Sequence, residues 1–181
     1  RTFPEARILR MDMDTTRKRT DMKRSWRPFA DEEADILIGT QMIVKGHDFP
    51  KVTLVGVLAA DLSLYSDDYR SGERTFQLLT QAAGRAGRGA ASGQVVIQTY
   101  SPDHYSIQMA AAQDYEGFYE EEMGYRKLMG YPPASHLLAC FLRGRRRTAL
   151  EAAGYLKEFL GRIDPGGRIQ VIGPASPYVE R

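Results

Sequence analysis

The sequence predicts an α/β fold, a parallel sheet with flanking helices, followed by a partial α+β domain. Short apolar runs alternate with helical stretches in the first part of the chain, which is the pattern of strands joined by crossover helices. Hydrophobic residues make up 43% of the 181 residues and charged residues 27%, as in ordinary globular domains. The predicted organisation is an α/β domain over 1–104, a connecting helical segment over 105–130, and a truncated second domain over 131–181.

Four buried strands account for the predicted sheet. Runs rich in Val, Ile and Leu place them at 7–11, 35–39, 52–59 and 94–100. Between them, the pattern predicts a basic helix that begins near Thr15 or Thr16 and a second helix over about 72–83. This alternation favours parallel pairing with right-handed crossovers.

The connecting segment is predicted to be one long helix. Ser101 can serve as its N-cap, Pro102 suits the first helical position, and Asp103 adds an acid to the first turn. The helix is expected to run to about Met129, because the Tyr-Pro-Pro sequence at 131–133 cannot continue it.

The second domain is predicted to begin with a strand, a helix and a further strand. The strands fall at 136–143 and 168–172, with a turn at 165–167 between the helix and the second strand. A capping box formed by Thr148 and Glu151 predicts the start of the helix. One face of that helix carries apolar residues at helical spacing: Ala149, Ala153, Leu156, Leu160 and Ile163.

Composition excludes several classes of protein and site. The longest apolar run, at 52–60, is far shorter than the roughly 20 residues that a membrane span needs. The single cysteine, Cys140, excludes an internal disulfide framework and a cysteine-rich zinc site within these residues, and it fits a reducing cytoplasm. We expect its thiol to be buried in the core, and no metal site is predicted. The chain opens on Arg1 without a methionine, which suggests a piece of a larger protein.

Arginine dominates the basic residues, although the net charge is only +2. Basic side chains cluster in residues 1–27 and again at Arg143, Arg145, Arg146 and Arg147. Because the planar guanidinium group favours phosphate, these clusters indicate either a nucleic-acid partner or a merely solvated surface.

The strongest motif is QAAGRAGR at 81–88, at the end of a predicted helix. Arg85 and Arg88 are three residues apart, which places them on the same side of a helical turn. Such a pair suits the γ-phosphoryl group of a nucleotide, where negative charge spreads over the oxygens in the transition state. The alternative is a Gly-Arg-rich surface loop that touches solvent or RNA.

A second motif, GTQMIVKGHDFP at 39–50, directly follows a predicted strand. Polar side chains at a strand end can position a phosphate backbone without reading base sequence. The candidate donors are Thr40, Gln41 and Lys45. Gly46 permits a tight turn, and Asp48 can accept from a ribose hydroxyl or hold an arginine.

Together the two motifs match, in order, motifs V and VI of the second RecA-like lobe of superfamily 2 helicases. The wording of both motifs, the segment AADLSLYSDDYRSGERTFQLL at 59–79 and the Tyr-Pro-Pro box resemble, more narrowly, the PriA family of primosomal replication-restart helicases. The resemblance covers about residues 7–131. Asp67, where the family tends to have proline, and Tyr69, where phenylalanine is more usual, are small departures away from the arginines.

The resemblance implies a RecA-like helicase lobe 2 followed by part of a C-terminal DNA-binding domain. The activity that it implies is an ATP-dependent DNA helicase that acts at stalled replication forks in the bacterial cytoplasm. It assigns Arg85 and Arg88 to the γ-phosphate and Gln81 to the phosphate or the attacking water. Gly46 and Asp48 fall at nucleotide-coupling positions. The DNA-backbone positions of the family fall on Thr40, Gln41 and Lys45.

Cofactors and partners also follow from the resemblance. ATP with Mg²⁺ would be bound mainly by a first lobe outside this sequence, and zinc is expected only upstream of Arg1. The implied partners are branched and single-stranded DNA, single-stranded DNA-binding protein and primosome proteins, with no membrane. No lysine in the sequence follows a glycine, so a P-loop of the form GxxxxGK[ST] is absent and the chain is expected to be inactive alone.

Two alternative functions remain open at this point. The first is another superfamily 2 DNA translocase, for example of the fork-regression type. The second is a nucleic-acid-binding module without ATPase activity, in which the arginine string binds RNA.

Two acidic features need a separate interpretation. The sequence DEEAD at 31–35 is spelled like a helicase acidic box, but it precedes a predicted strand, whereas a metal-binding box follows one. We therefore expect an exposed turn there. Asp61, at the end of a predicted strand, is either functional or structural.

Overall fold

The computed structural model describes residues 3–11, 27–40, 49–87 and 92–175. The chain divides into two compact units, Arg1–Ser135 and His136–Arg181. In the described part of the first unit the elements are β1 (Ile8–Met11), α1 (Arg27–Ala30), β2 (Ile36–Gly39), β3 (Leu54–Val57), a 3₁₀ helix (Ala60–Tyr65), α2 (Ser71–Ala83), β4 (Gln94–Ile97), α3 (Tyr105–Ala112) and α4 (Tyr115–Met129). The second unit contains α5 (Arg146–Ile163).

All four predicted strands of the first unit are present, and their pairing is parallel as predicted. β1 pairs with β2, and β3 pairs with β4. Within the described ranges the strands form two two-stranded sheets rather than one continuous sheet. β3 and β4 are shorter than predicted, because the chain after β3 turns into the 3₁₀ helix, where the Ala60 N–H donates to the Gln98 carbonyl at 3.0 Å. The basic helix predicted near Thr15 lies outside the described residues.

An exposed ion pair joins the chain before β1 to the chain before β2. The Arg7 guanidinium donates to both carboxylate oxygens of Asp35, at 3.0 and 2.8 Å, and its backbone N–H adds a third bond at 2.9 Å. These hydrogen bonds lower the pKa of Asp35 to about 2. Glu32 has φ 61° in the preceding turn, and the acidic sequence at 31–35 is an exposed turn, as expected. Asp35 therefore has a structural partner.

The core of the first unit lies where α2 packs on α3, α4 and the 3₁₀ helix. α2, predicted at 72–83, buries one stripe along its length: Gly72, Thr75, Phe76, Leu79 and Ala82. Leu79 is fully buried, and the Phe76 ring stacks on Phe118 of α4 with centroids 4.0 Å apart. Burial of this stripe fixes the position of the C-terminal end of α2, where the QAAGRAGR motif lies.

The predicted connecting segment is helical and ends at Met129, but the expectation of one continuous helix that begins after Ser101 is wrong. The His104 ring nitrogen Nδ1 accepts from the Ser106 N–H at 3.2 Å, so His104 is the N-cap and α3 begins three residues later than predicted. Gln113, with φ 56°, ends α3, and the Asp114 carboxylate caps α4 by accepting from the Gly117 N–H at 2.9 Å. Two local caps therefore outcompete a continuous helix.

Removing the Asp114 cap provides a direct test of this break. We expect Asp114→Ala to lower the free energy of unfolding by about 1 kcal/mol, because the Gly117 N–H loses its acceptor at the first turn of α4. Urea unfolding followed by circular dichroism measures the change. The matched control is Asp103→Ala, in the exposed turn before α3, which should change stability by less than about 0.5 kcal/mol. A larger loss at position 103 than at 114 would contradict the assignment.

In the second unit, the predicted helix is present and four of the five residues of its predicted face are half-buried, but the predicted capping box is wrong. Ala149, Ala153, Leu156 and Leu160 are half-buried, whereas Ile163 is exposed. α5 begins before Thr148, after an N-cap at Arg145 that makes no side-chain capping bond. The box does not form because Thr148 lies inside the helix rather than at its N-cap, and the Glu151 carboxylate instead accepts from Arg147 Nε at 2.9 Å.

The strands predicted at 136–143 and 168–172 are also absent from the described part of the second unit. A strand needs a neighbour for its ladder of hydrogen bonds, and within 136–175 the structure supplies one helix and irregular segments. The expected burial of Cys140 is wrong for the same reason, since its segment packs on no sheet and the thiol is exposed. The turn at 165–167 is present, with the Gly167 N–H bonded to the Asp164 carbonyl at 3.1 Å. None of the helices in the described ranges is both long and apolar enough to cross a membrane.

Candidate nucleotide and nucleic-acid site

The C-terminal end of α2 carries the described part of the arginine motif. The helix ends at Ala83, and the next N–H groups continue its direction: Gly84 donates to the Thr80 carbonyl at 3.0 Å and Arg85 to the Ala82 carbonyl at 3.0 Å. Gln81 is exposed and Arg85 is half-buried. Gln81 is thus in the last turn of α2, and Arg85 lies in the tight turn that follows the helix.

A backbone hydrogen bond fixes this motif to the sheet. The Gly87 N–H donates to the Val52 carbonyl at 3.0 Å, just before β3 begins. Gly87 has φ 71°, a left-handed conformation that glycine adopts without steric penalty. Gly87 is therefore required by the turn that brings the chain back to the sheet.

The sequence-predicted site residues divide into two groups. The structure describes Thr40, Gln81 and Arg85; it brings Gln81 and Arg85 to the same helix end and places Thr40, exposed, directly after β2. The other predicted residues lie outside the described ranges: Gln41, Lys45, Gly46, Asp48 and Arg88.

Phe49 marks the point where the second motif rejoins the described fold. Its side chain is buried, and its ring meets Phe29 of α1 edge-on, with centroids 5.1 Å apart and planes at 79°. The Val52 N–H then donates to the Phe49 carbonyl at 3.1 Å. The end of the 39–50 motif is thus anchored both by an aromatic contact and by the residue that binds Gly87.

Asp61 has a structural role. It is buried, and its carboxylate accepts from the Tyr100 N–H at 3.2 Å, which joins the 3₁₀ helix to the chain after β4. Burial opposes its charge, but hydrogen bonds from its own N–H, from Tyr100 and from the Thr99 hydroxyl lower its pKa overall.

Sequence reasoning missed a buried ionic network beside α2. Arg126 of α4 donates to Glu122 at 2.8 Å, to Glu73 of α2 at 2.8 Å and to the Pro132 carbonyl at 3.1 Å. The Tyr105 hydroxyl donates to Glu122 at 2.6 Å, and burial together with this carboxylate raises the pKa of Tyr105. The spacing of Glu122 and Arg126 is a helical ion-pair signal in the sequence, but nothing there indicates that both are buried or that Glu73 joins them.

The network links three parts of the first unit through one guanidinium group. It holds α4 against α2 and ties both to the Tyr-Pro-Pro box that follows. The Arg126 side chain also lies over the Tyr69 ring, 5.3 Å from its centroid. Among the residues that the structure describes, no group of three His, Cys, Asp or Glu side chains is arranged to hold a metal ion.

Comparison with known proteins assigns the chain to a family. The model of the helicase conserved C-terminal domain matches residues 2–90. The replication restart protein PriA of Bacillus subtilis (strain 168) is 46% identical over 100% of this chain, which corresponds to 22% of that protein. The PriA protein of Chlamydia trachomatis serovar D is 49% identical over 79% of the chain and 19% of that protein, and that of Synechocystis is 41% identical over 99% and 22%.

The chain therefore spans about a fifth of the length of these relatives. The family match, the parallel strand pairs and the flanking helices confirm the predicted α/β, RecA-like fold class. We conclude that this chain belongs to the PriA family of replication restart proteins, in the part that contains the helicase C-terminal domain.

Proposed function

We propose that this chain is part of a bacterial cytoplasmic DNA helicase that hydrolyses ATP, restarts stalled replication forks and assembles the primosome. Its contribution is one wall of the ATP cleft together with contacts to the DNA backbone. The observation that supports this function best is the end of α2. There Gln81, in the last turn of the helix, and Arg85, in the turn that follows, belong to a motif that a hydrogen bond ties to Val52 just before β3.

In the proposed site, Arg85 and Arg88 donate to the γ-phosphate oxygens of ATP and Gln81 orients the attacking water. A guanidinium fork fits a phosphoryl group in both charge and geometry. The amide of Gln81 is exposed and can both donate to phosphate and accept from water. Gly46 and Asp48 would complete the nucleotide contacts of this lobe. Mg²⁺ and most of the triphosphate would be held by a P-loop, which is absent from this sequence.

The proposed DNA contacts are made by the strand-end motif. Thr40, Gln41 and Lys45 would donate to phosphate oxygens, which positions DNA without reading its sequence. The exposed end of β2 at Thr40 leaves room for such a contact. Branched and single-stranded DNA are the proposed substrates, and single-stranded DNA-binding protein and primosome proteins the proposed partners. Zinc would be bound outside this chain.

ATP hydrolysis by the isolated chain and by the full-length protein tests this proposal. We expect no DNA-stimulated hydrolysis by the purified 181-residue chain, because it has no P-loop to hold the phosphates, and DNA-stimulated hydrolysis by the full-length protein. Phosphate release with and without fork DNA measures both. Hydrolysis by the isolated chain would contradict the proposal that a P-loop outside this sequence holds the phosphates. A full-length protein that binds DNA without hydrolysing ATP would favour the nucleic-acid-binding module.

A further inference from the structure

Gly93, the residue before β4, lies in unusually close contact with the arginine motif. A Cβ atom built on Gly93 would lie 2.1 Å from the Gly87 nitrogen, 2.3 Å from the Ala86 carbonyl carbon and 2.6 Å from the Gly87 Cα. Real Cβ contacts are essentially never shorter than 3.0 Å. All three neighbours are backbone atoms, so no side-chain rotation can relieve the overlap.

The contact is reciprocal, and hydrogen bonds hold both of its sides. A Cβ atom on Gly87 would lie 2.5 Å from the Gly93 nitrogen. The Gly87 N–H is bonded to the Val52 carbonyl at 3.0 Å, and the Gln94 N–H to the Thr53 carbonyl at 2.8 Å. Two successive carbonyls before β3 therefore hold the turn of the arginine motif and the start of β4 at the same place.

We propose that Gly93 is a positioning residue for Arg85. Because Gly93 has no side chain, the backbone at the start of β4 packs directly against the backbone of the motif turn at 86–87, and this contact sets the position of the turn. This inference rests on the proposed function of Arg85 at the γ-phosphate. Unlike Gly87, Gly93 has no left-handed φ, so the requirement for glycine is one of space alone. Gly93 also lies outside residues 2–90, the part of the chain that the model of the helicase C-terminal domain matches.

The expected size of the effect follows from the overlap. The 2.1 Å contact must open to at least 3.0 Å, so the motif turn or the start of β4 must move by about 0.9 Å. A misplacement of about 1 Å in a catalytic group can lower a rate by about 10²-fold. The KM for ATP should change little, because a P-loop elsewhere in the protein would provide most of the nucleotide binding.

The experiment compares Gly93→Ala with Gly56→Ala in the full-length protein. Gly56 lies in β3, and a Cβ atom there would meet nothing within 4 Å, so it is a matched control on the neighbouring strand. We expect Gly93→Ala to lower the DNA-stimulated kcat by about 10²-fold, with the KM for ATP and the Kd for fork DNA within a few-fold of the parent. Gly56→Ala should match the parent in all three quantities.

Combination with Arg85→Ala distinguishes positioning from a general loss of structure. If Gly93 acts through Arg85, then Arg85→Ala and the double variant should have the same kcat. Additive effects would overturn the proposal, as would a Gly93→Ala protein that loses its thermal unfolding transition and its DNA affinity together with activity.

The two remaining outcomes separate this inference from the proposed function. Normal hydrolysis by Gly93→Ala beside an inactive Arg85→Ala would overturn the positioning role alone. Normal hydrolysis by Arg85→Ala would overturn the proposed function of Arg85, and the inference with it.

Discussion

Replacement of Arg88 by alanine in the full-length protein is expected to lower the DNA-stimulated kcat for ATP by about 10²-fold or more. The reason is the loss of a donor that meets charge developing on the γ-phosphoryl oxygens, an interaction that is strongest in the transition state. The affinity for fork DNA should stay within a few-fold, because the proposed DNA contacts lie at the other motif. Steady-state phosphate release and a binding titration on the same preparations measure the two effects.

Two further variants make this result specific. Arg88→Lys should recover little activity, because an ammonium group cannot reproduce the two-oxygen contact of a guanidinium fork. Arg74→Ala is the matched control: it removes the same charge from α2, at an exposed position where the side chain pairs with Asp68 at 2.8 Å. It should leave kcat unchanged. If the Arg88→Ala protein hydrolyses ATP normally but loses its affinity for fork DNA, Arg88 contacts nucleic acid rather than the nucleotide.

The second large effect is expected at Arg126, where alanine should lower the free energy of unfolding of the first unit by about 3–5 kcal/mol. The substitution leaves Glu122, whose side chain is 6% exposed, without the cation that compensates its charge. Glu73, at 36% exposure, can be hydrated instead, so most of the loss comes from Glu122. Urea unfolding of the chain measures the change.

A paired substitution separates the lost charge from the lost packing. Arg126→Met combined with Glu122→Gln should recover much of the stability, because no uncompensated ion then remains in the buried site. Arg74→Ala again provides the control, since an exposed ion pair contributes about 0–1 kcal/mol. A loss of less than 1 kcal/mol in Arg126→Ala would show that water reaches Glu122.

The part of the fold that could be predicted is the part where local pattern and tertiary environment agree. The apolar runs at 7–11 and 35–39 form strands that pair in parallel with each other, and α2 carries its apolar stripe at helical spacing. The break between α3 and α4 could not be predicted from periodicity, because it depends on the left-handed Gln113 and on the Asp114 cap competing with the helix.

The second unit and the ionic network show a different limit. Residues 136–143 have the pattern of a strand, but a strand exists only when a neighbour pairs with it, and local pattern does not contain that information. Glu122 and Arg126 could be predicted as a helical ion pair. Their burial depends on the packing of α2 and α3 against α4, which brings Glu73 and Tyr105 into contact with them. For the site, the motif could be recognised from residue types, but the tether from Gly87 to Val52 required the structure.

The backbone of Val52 connects the two motifs, and this connection bears on how binding at one motif affects binding at the other. The Val52 N–H is bonded to Phe49, at the end of one motif, and its carbonyl accepts from Gly87, at the end of the other. The Val52 peptide is therefore a backbone connection through which a displacement of one motif can act on the other. If DNA binds at the first motif and ATP at the second, thermodynamic linkage requires the coupling to be equal in both directions. The factor by which DNA tightens ATP binding must then equal the factor by which ATP tightens DNA binding.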